Sequence, residues 1–338
     1  MPTSAASDAS LSDAIAGADV TRFTADWLAV AGQVPAAARP IGVAVSGGAD
    51  SLALLLLARA SFPGAVAAAT VDHGLRAESA AEAAFVATLC ARLGVPHAVL
   101  PPRPEMLAAG NLQDRARAMR YRSLADWADT IGAPWVAVAH QQDDLAESLL
   151  LRARRGAGLG GLAAMVPSRP LRAGAAAPLL VRPLLGWSRA ELAARVQAAG
   201  IAPVEDPSNR HPRFDRSRIR RLLAETPELP AARLALAATN LRDAEAALAW
   251  VVAREWTARA ERQGQGLLLD LADLPAELRR RLVVRALATI ADAPPPRGSG
   301  LDRLIAAVDA GRVATLAGVV VRPGVRWRFA PAPPHRSP

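Results

Sequence analysis

What most constrains this chain is a repeated alternation between short apolar runs and longer segments with helical spacing. The runs at 41–45, 66–71, 97–100 and 135–139 are each followed by such a segment, and the change of period separates strand from helix. Strands joined through crossover helices pair in parallel and need helices on both faces of their sheet. The sequence therefore predicts an α/β fold, a Rossmann-like doubly wound parallel sheet whose ligands gather at the carboxyl ends of the strands. A further strand is expected at 179–185, with helices at 21–31 and 189–199. Residues 201–213, with Pro203, Pro207 and Pro212, read as a surface loop. Beyond about residue 227 the texture becomes Ala/Leu/Arg helix at 230–262 and 275–291, and 313–321 with 325–329 suggest a hairpin. The expected division is a disordered tail over 1–20, an α/β domain over 21–225, a smaller and mainly helical domain over 226–330, and a second disordered tail over 331–338.

Charge and cysteine usage exclude several chemistries. The 40 Lys+Arg residues are all arginine, against 31 Asp+Glu, for a net charge of +9. A chain without lysine side chains has no side-chain amine for a Schiff base and no Walker A lysine. An excess of cations favours a polyanionic partner such as nucleic acid, although an arginine-rich composition alone gives the same count. The single cysteine, Cys90, excludes an internal disulfide framework, a Cys-rich zinc site and a cysteine-held iron–sulfur cluster. Arg59 and Pro63 interrupt the richest apolar stretch, at 52–71, and the first residues lack the basic start of a secretory signal. A cytoplasmic location is expected, with no membrane partner.

The chemistry concentrates after the first strand, at Ser46-Gly47-Gly48-Ala49-Asp50-Ser51, which runs directly into an apolar helix. Two glycines allow a tight turn close to an anion, and a helix N-terminus supplies unpaired N–H groups and partial positive charge. The hydroxyls of Ser46 and Ser51 add donors, and Asp50 could hold a magnesium ion bridging phosphates. The bland reading is a Gly-rich turn with a polar helix cap.

This hexapeptide resembles the signature of the PP-loop ATP pyrophosphatases, the N-type adenine nucleotide alpha hydrolase superfamily. The resemblance implies that ATP is cleaved between its α and β phosphates, with pyrophosphate in the loop. Further motifs follow in order: Val71-Asp72-His73-Gly74-Leu75-Arg76; Asn111-Leu112-Gln113 with Ala116-Arg117 and Arg120-Tyr121; His140 with Asp143-Asp144 and Glu147; Arg155-Gly156-Ala157-Gly158; and Asp206-Pro207-Ser208-Asn209 before an arginine run. Together they resemble the tRNA(Ile)-lysidine synthetase family. That resemblance covers roughly residues 41–221 closely. It implies a PP-loop ATP-binding catalytic domain followed by a tRNA-binding domain. Its reaction adenylates C2 of the wobble cytidine in a tRNA(Ile) with a CAU anticodon. The side-chain amine of L-lysine then attacks, giving lysidine, AMP and pyrophosphate. ATP and Mg²⁺ are the implied small partners, with no organic prosthetic group, and a homodimer is left open. Longer members carry a further C-terminal domain that this chain is expected to lack.

Individual residues carry both a functional and a structural reading. Ser46 to Ser51, with Asp72 and His73, are assigned to ATP. Asp144 and Glu147 lie three apart and share a helix face, so they can hold the lysine ammonium and supply a base, or they can be a helix-start acid and a solvated charge. His140 stands at a strand's carboxyl end, as ligand or as structural histidine. Arg120 is the arginine that the resemblance directs inward, to stabilise charge on the adenylated base. Asp143, Arg155, Gly156 and Asn209 are further site candidates, and Arg155-Gly156 reads equally as a phosphate turn or a helix stop. Arg213, Arg216, Arg218, Arg220 and Arg221 form a cluster suited to a tRNA backbone, or a solvated face. Ser217 stands in that run where the family pattern tends to have Asn. A PP-loop thiolase, a nucleotide synthetase and a non-catalytic RNA-binding protein of this fold are the competing readings. Cys90 alone, inside an expected helix, speaks against the first.

Overall fold

The computed structural model describes residues 15–72, 78–101, 112–163, 165–204, 215–291 and 299–333. The chain divides into two compact units, Met1–Arg242 and Asp243–Pro338. The sequence placed the boundary near 225. It falls later because Ala235, Ala238 and Leu241 pack with Leu145 and Leu149 of the first unit.

The first unit opens with α1 (Gly17–Ala31), which begins inside the stretch expected to be a tail. Its buried face explains why: Trp27 meets Phe62 and Trp135 edge-on, with ring centroids 5.7 and 5.8 Å away. The alternation follows as β1 (Ile41–Ala44), α2 (Ala49–Ser61), β2 (Val66–Val71), α3 (Glu78–Leu93), β3 (His97–Leu100), α4 (Leu112–Thr130), β4 (Trp135–Ala137) and α5 (Gln142–Ala153). It continues with α6 (Leu159–Leu162), β5 (Ser168–Pro170), β6 (Leu179–Val181), α7 (Arg189–Ala198), α8 (Asp215–Glu225) and α9 (Ala231–Arg259). The six strands lie in the order β3-β2-β1-β4-β6-β5. All neighbours are parallel except β5, which runs antiparallel to β6 and escaped the sequence reading.

One core, built from α1, α2, α3 and α7, covers one face of this sheet, and α4 supplies the second. Residues Leu52 to Ala58 of α2 are all buried, which accounts for an apolar run without amphipathic spacing. Gly42 in β1 admits the indole of Trp127, since a Cβ there would lie 2.7 Å from Trp127 Cζ3. Strand order reverses between β1 and β4, so the carboxyl ends of these two strands border the crevice where doubly wound folds take ligands.

The second unit corrects an expectation. The expected helices are present, but the hairpin is part of a five-stranded antiparallel sheet, order β7-β8-β11-β10-β9. Its strands are β7 (Ala260–Gln263), β8 (Gly266–Leu269), β9 (Ala314–Leu316), β10 (Val319–Arg322) and β11 (Trp327–Pro331), packed against α10 (Ala276–Ala291) and α11 (Ser299–Asp309). The helix expected to reach residue 262 ends at Arg259. The next four residues, Ala-Glu-Arg-Gln, carry helical propensity but form an edge strand, and the chain reverses at Gly264 with φ 59°. Tertiary pairing overrides a weak local preference here. Among the described residues no helix is long and apolar enough to cross a membrane.

Trp27→Ala should lower the unfolding free energy by about 3–5 kcal/mol, the usual cost of emptying a buried aromatic site. Denaturant titration checks this, and an unchanged midpoint would mean that α1 is only a tail.

Candidate active site

The loop after β1 is held from within. Ser51 Oγ donates to the Gly48 carbonyl at 2.9 Å and accepts from the Ser46 N–H at 3.1 Å. Gly47 has φ 82° and its carbonyl accepts from Val204 N–H at 2.9 Å. A Cβ on Gly47 would lie 3.2 Å from Val204 Cγ2 in addition to straining the backbone. Helix α2 starts at Ala49, so Asp50 and Ser51 belong to its first turn, and Gly48 caps it without any side-chain hydrogen bond. Its leading N–H groups thus remain directed at whatever anion enters, with the helix dipole behind them.

Asp50 carries the clearest ligand signal. Its Oδ1 is buried without a hydrogen-bond partner, and burial pushes its carboxyl up to about 6, against the pull of Arg189. An unpartnered carboxylate oxygen beside a phosphate cradle fits a hard divalent cation that takes its other ligands from phosphates and water. The described residues offer no cluster of three or more side chains that would hold a metal by themselves. The Gln141 side chain, at the start of α5, lies near enough to Asp50 to lower its carboxyl, yet its own Nε2 is likewise buried without a hydrogen-bond partner.

That start is a capping box. The Gln141 side chain accepts from Asp143 N–H at 2.5 Å, and Asp144 Oδ2 accepts from Gln141 N–H at 3.1 Å. Asp143 Oδ2 accepts the Arg189 N–H at 3.0 Å, binding α7 to α5. Glu147, 1 % exposed, is enclosed by three guanidiniums: Arg189 at 3.1 Å, Arg216 at 3.0 Å and Arg220 at 2.9 Å. Arg216 also reaches Asp144 Oδ1 at 3.0 Å.

The two carboxylates therefore differ. Burial raises the Asp144 carboxyl, with Arg216 opposing it. Burial works to raise Glu147 as well, but Arg220, Arg189 and Arg216 outweigh it and hold that carboxyl below its ordinary value. One group of the pair accepts a proton more readily while the other stays ionised.

The arginine run divides in a way its composition did not disclose. Arg216 and Arg220 are four apart and share the face of α8 turned to the carboxylates. Arg218 pairs with Asp215, which also binds Arg154 at 2.8 Å and Arg155 at 3.1 Å, while Arg221 is exposed. The expectation of a uniform basic grip is corrected for Arg216 and Arg220, whose charges are spent inside the site. Gly156, with φ 68°, ends the helix begun at Gln142, and the Ala157 N–H returns to the Arg152 carbonyl at 3.1 Å, so the helix-stop reading holds for this turn. Asp72 follows β2, with its N–H on the Leu100 carbonyl at 2.9 Å. Arg120 lies exposed on α4, and its charge, with that of Arg117, bears on His140. His73, Asn111, Asn209 and Arg213 lie outside the described residues. Sequence reasoning missed Arg182, Arg189 and Gln141. The Ser188…Glu191 spacing was a legible sign of a helix opening at Arg189.

The PP-loop domain family matches residues 20–226. Similar relatives include the tRNA(Ile)-lysidine synthase of Zymomonas mobilis, 45% identical across 88% of this chain and 90% of that protein. The tRNA(Ile)-lysidine synthase of Novosphingobium aromaticivorans is 46% identical across 96% of this chain and 97% of that one. The chain belongs to the tRNA(Ile)-lysidine synthase family. Among solved structures, the U34-tRNA thiolase NcsA of Methanococcus maripaludis, with its [4Fe-4S] cluster, shares the fold at a TM-score of 0.53 and 15% identity, covering 67% of this chain and 79% of that one. In this member of the lysidine synthase family Cys90 is buried on α3, and burial pushes its thiol up to about 11, which is unsuited to thiolate chemistry.

Glu147→Ala should cost about 2 kcal/mol of stability, less than the roughly 3–5 of a fully buried pair because its arginines keep partial solvent contact. Denaturant unfolding measures it. A double-mutant cycle with Arg220→Ala should return a coupling above about 0.5 kcal/mol.

Proposed function

We propose that this chain joins L-lysine to the wobble cytidine of a tRNA(Ile) with a CAU anticodon, using ATP and releasing AMP and pyrophosphate. The observation that carries the reading is the closeness of the Ser46–Ser51 cradle to the acidic start of α5, where Asp144 and Asp143 bear on the Asp50 carboxyl and Asp144 neighbours Glu147 through Arg216. The family membership gives the reaction its substrates.

In the first step the cytidine C2 oxygen attacks the α-phosphorus of ATP, and pyrophosphate leaves into the cradle. The N–H groups at the start of α2 and the Ser46 hydroxyl bind that leaving group, Ser51 holds the loop in shape through the Gly48 carbonyl, and Asp72 and His73 are assigned to the adenosine on the family resemblance. A magnesium ion on Asp50 would screen the phosphate charge. Arg120 stabilises negative charge on the activated base, a task suited to a bidentate guanidinium. In the second step the lysine side-chain nitrogen bonds to C2, and the C2–O bond to AMP breaks. The attacking amine must first lose a proton. Asp144, whose carboxyl burial raises, is the better acceptor, while Glu147 stays anionic and orients the cation. Arg218 and Arg221, with Arg213, remain the arginines assigned to the tRNA backbone. The expected setting is the cytoplasm.

The test is ATP-dependent incorporation of labelled lysine into this tRNA. Wild-type protein should release AMP and pyrophosphate in equal amounts with lysine joined. Asp50→Ala should lower kcat/KM at least about a hundredfold, a modest share of what a metal-held phosphate contributes. ADP and orthophosphate as products, or incorporation surviving Asp50→Ala, would overturn the assignment.

A further inference from the structure

Arg182 directly follows β6, is only 4% exposed and, among the described residues, has His140 and the Tyr121 phenol beside it and no ion pair. Its Nε donates to His140 Nδ1 at 3.2 Å and its Nη1 to the Val166 carbonyl at 2.5 Å. The backbone adds a third restraint, because the Arg182 N–H donates to the Pro167 carbonyl at 2.9 Å. A guanidinium has donors and no acceptor and stays charged at every accessible pH. The imidazole nitrogen facing it must therefore be the unprotonated one, and the ring proton of a neutral imidazole then belongs to Nε2.

We propose that Arg182 is a positioning residue that locks His140 as the neutral Nε2–H tautomer, so that His140 serves the lysine-transfer reaction as a hydrogen-bond donor to a phosphate or cytidine oxygen and never as its base. The placement supports this. His140 stands just beyond β4, at the strand-order reversal, and is adjacent in sequence to Gln141, which lies near Asp50. The charges that bear on it most strongly are cationic: Arg182 after β6, Arg117 and Arg120 on α4, and Arg216 on α8. Burial first and these arginines second push the imidazole down to about 3. A donor among guanidiniums is built to face an anion. With one ring nitrogen bonded to Arg182 and the other already protonated, the proton of the lysine amine has to go elsewhere, which agrees with Asp144 as acceptor. The role in catalysis rests on the proposed function, whereas the tautomer does not.

The experiment is ¹⁵N spectroscopy of the histidine rings in the full chain, which has five histidines, with the His140 signal assigned by its loss in His140→Gln. The wild-type ring should be neutral and Nε2-protonated from pH 5.5 to 8. In Arg182→Met the lock is gone, so an Nδ1–H population should appear beside Nε2–H, while burial and the remaining arginines keep the ring neutral. Lysine incorporation by that variant should fall about twofold or more with the shape of its pH profile unchanged, because part of the neutral ring then lacks the Nε2 donor. An Nδ1–H or cationic His140 in the wild type at pH 6.5 would overturn the lock. So would an Arg182→Met ring that stays wholly Nε2-protonated with lysine incorporation unchanged. Should that variant fail to fold, the wild-type spectrum alone decides the tautomer. A locked ring in a protein that incorporates no lysine would sink the proposed function and leave the lock standing.

Discussion

The reversal of strand order between β1 and β4 is the constraint from which the site follows. It brings two helix starts to one crevice and leaves each with a different use for its unpaired N–H groups. At α2 the cap is a glycine without a side chain, so the amides stay available. At α5 the cap is Gln141 with Asp144, so the amides are consumed and the carboxylates are fixed in place. One start keeps its amides open and the other presents carboxylates, and the two are near enough for Asp143 and Asp144 to bear on Asp50.

A second regularity is the exclusive use of arginine as cation. Guanidinium retains its charge in low dielectric where an ammonium would lose it. That property acts in the crevice against the burial that raises Asp50 and Asp144 and lowers His140. Glu147 stays ionised despite burial because three guanidiniums surround it. Asp144, with one, is raised. His140, with cations and no acid beside it, is neutral. Charge states in this crevice follow from how many guanidiniums each group meets, set against the burial they share.

The parallel sheet was legible because burial on both faces leaves unbroken apolar runs, and 66–71 and 97–100 stand where the sequence put them. The Ser46–Ser51 loop was legible because its chemistry is local. What escaped depends on contacts distant in sequence. The strand at Ala260 is polar and becomes β only through its partner at Gly266–Leu269. The roles of Arg182 and Arg189 exist only through His140 and Glu147, 42 residues away in each case. The inward turn of Arg216 and Arg220 was half visible: their spacing of four places them on one face, but nothing in the run says which face meets an acid.

This placement of arginines has a consequence for a site in which an amine attacks an activated carbon. The carboxylates that would hold a lysine substrate are already surrounded by cations of the protein. Were any of these a lysine, its amine would sit at the activated base in competition with the substrate and could join to it instead. A guanidinium fills the same electrostatic role yet cannot shed its proton to become a nucleophile under ordinary conditions. Under the proposed function, arginine at positions 189, 216 and 220 keeps a buried acid charged while leaving the substrate as the side-chain amine that reacts.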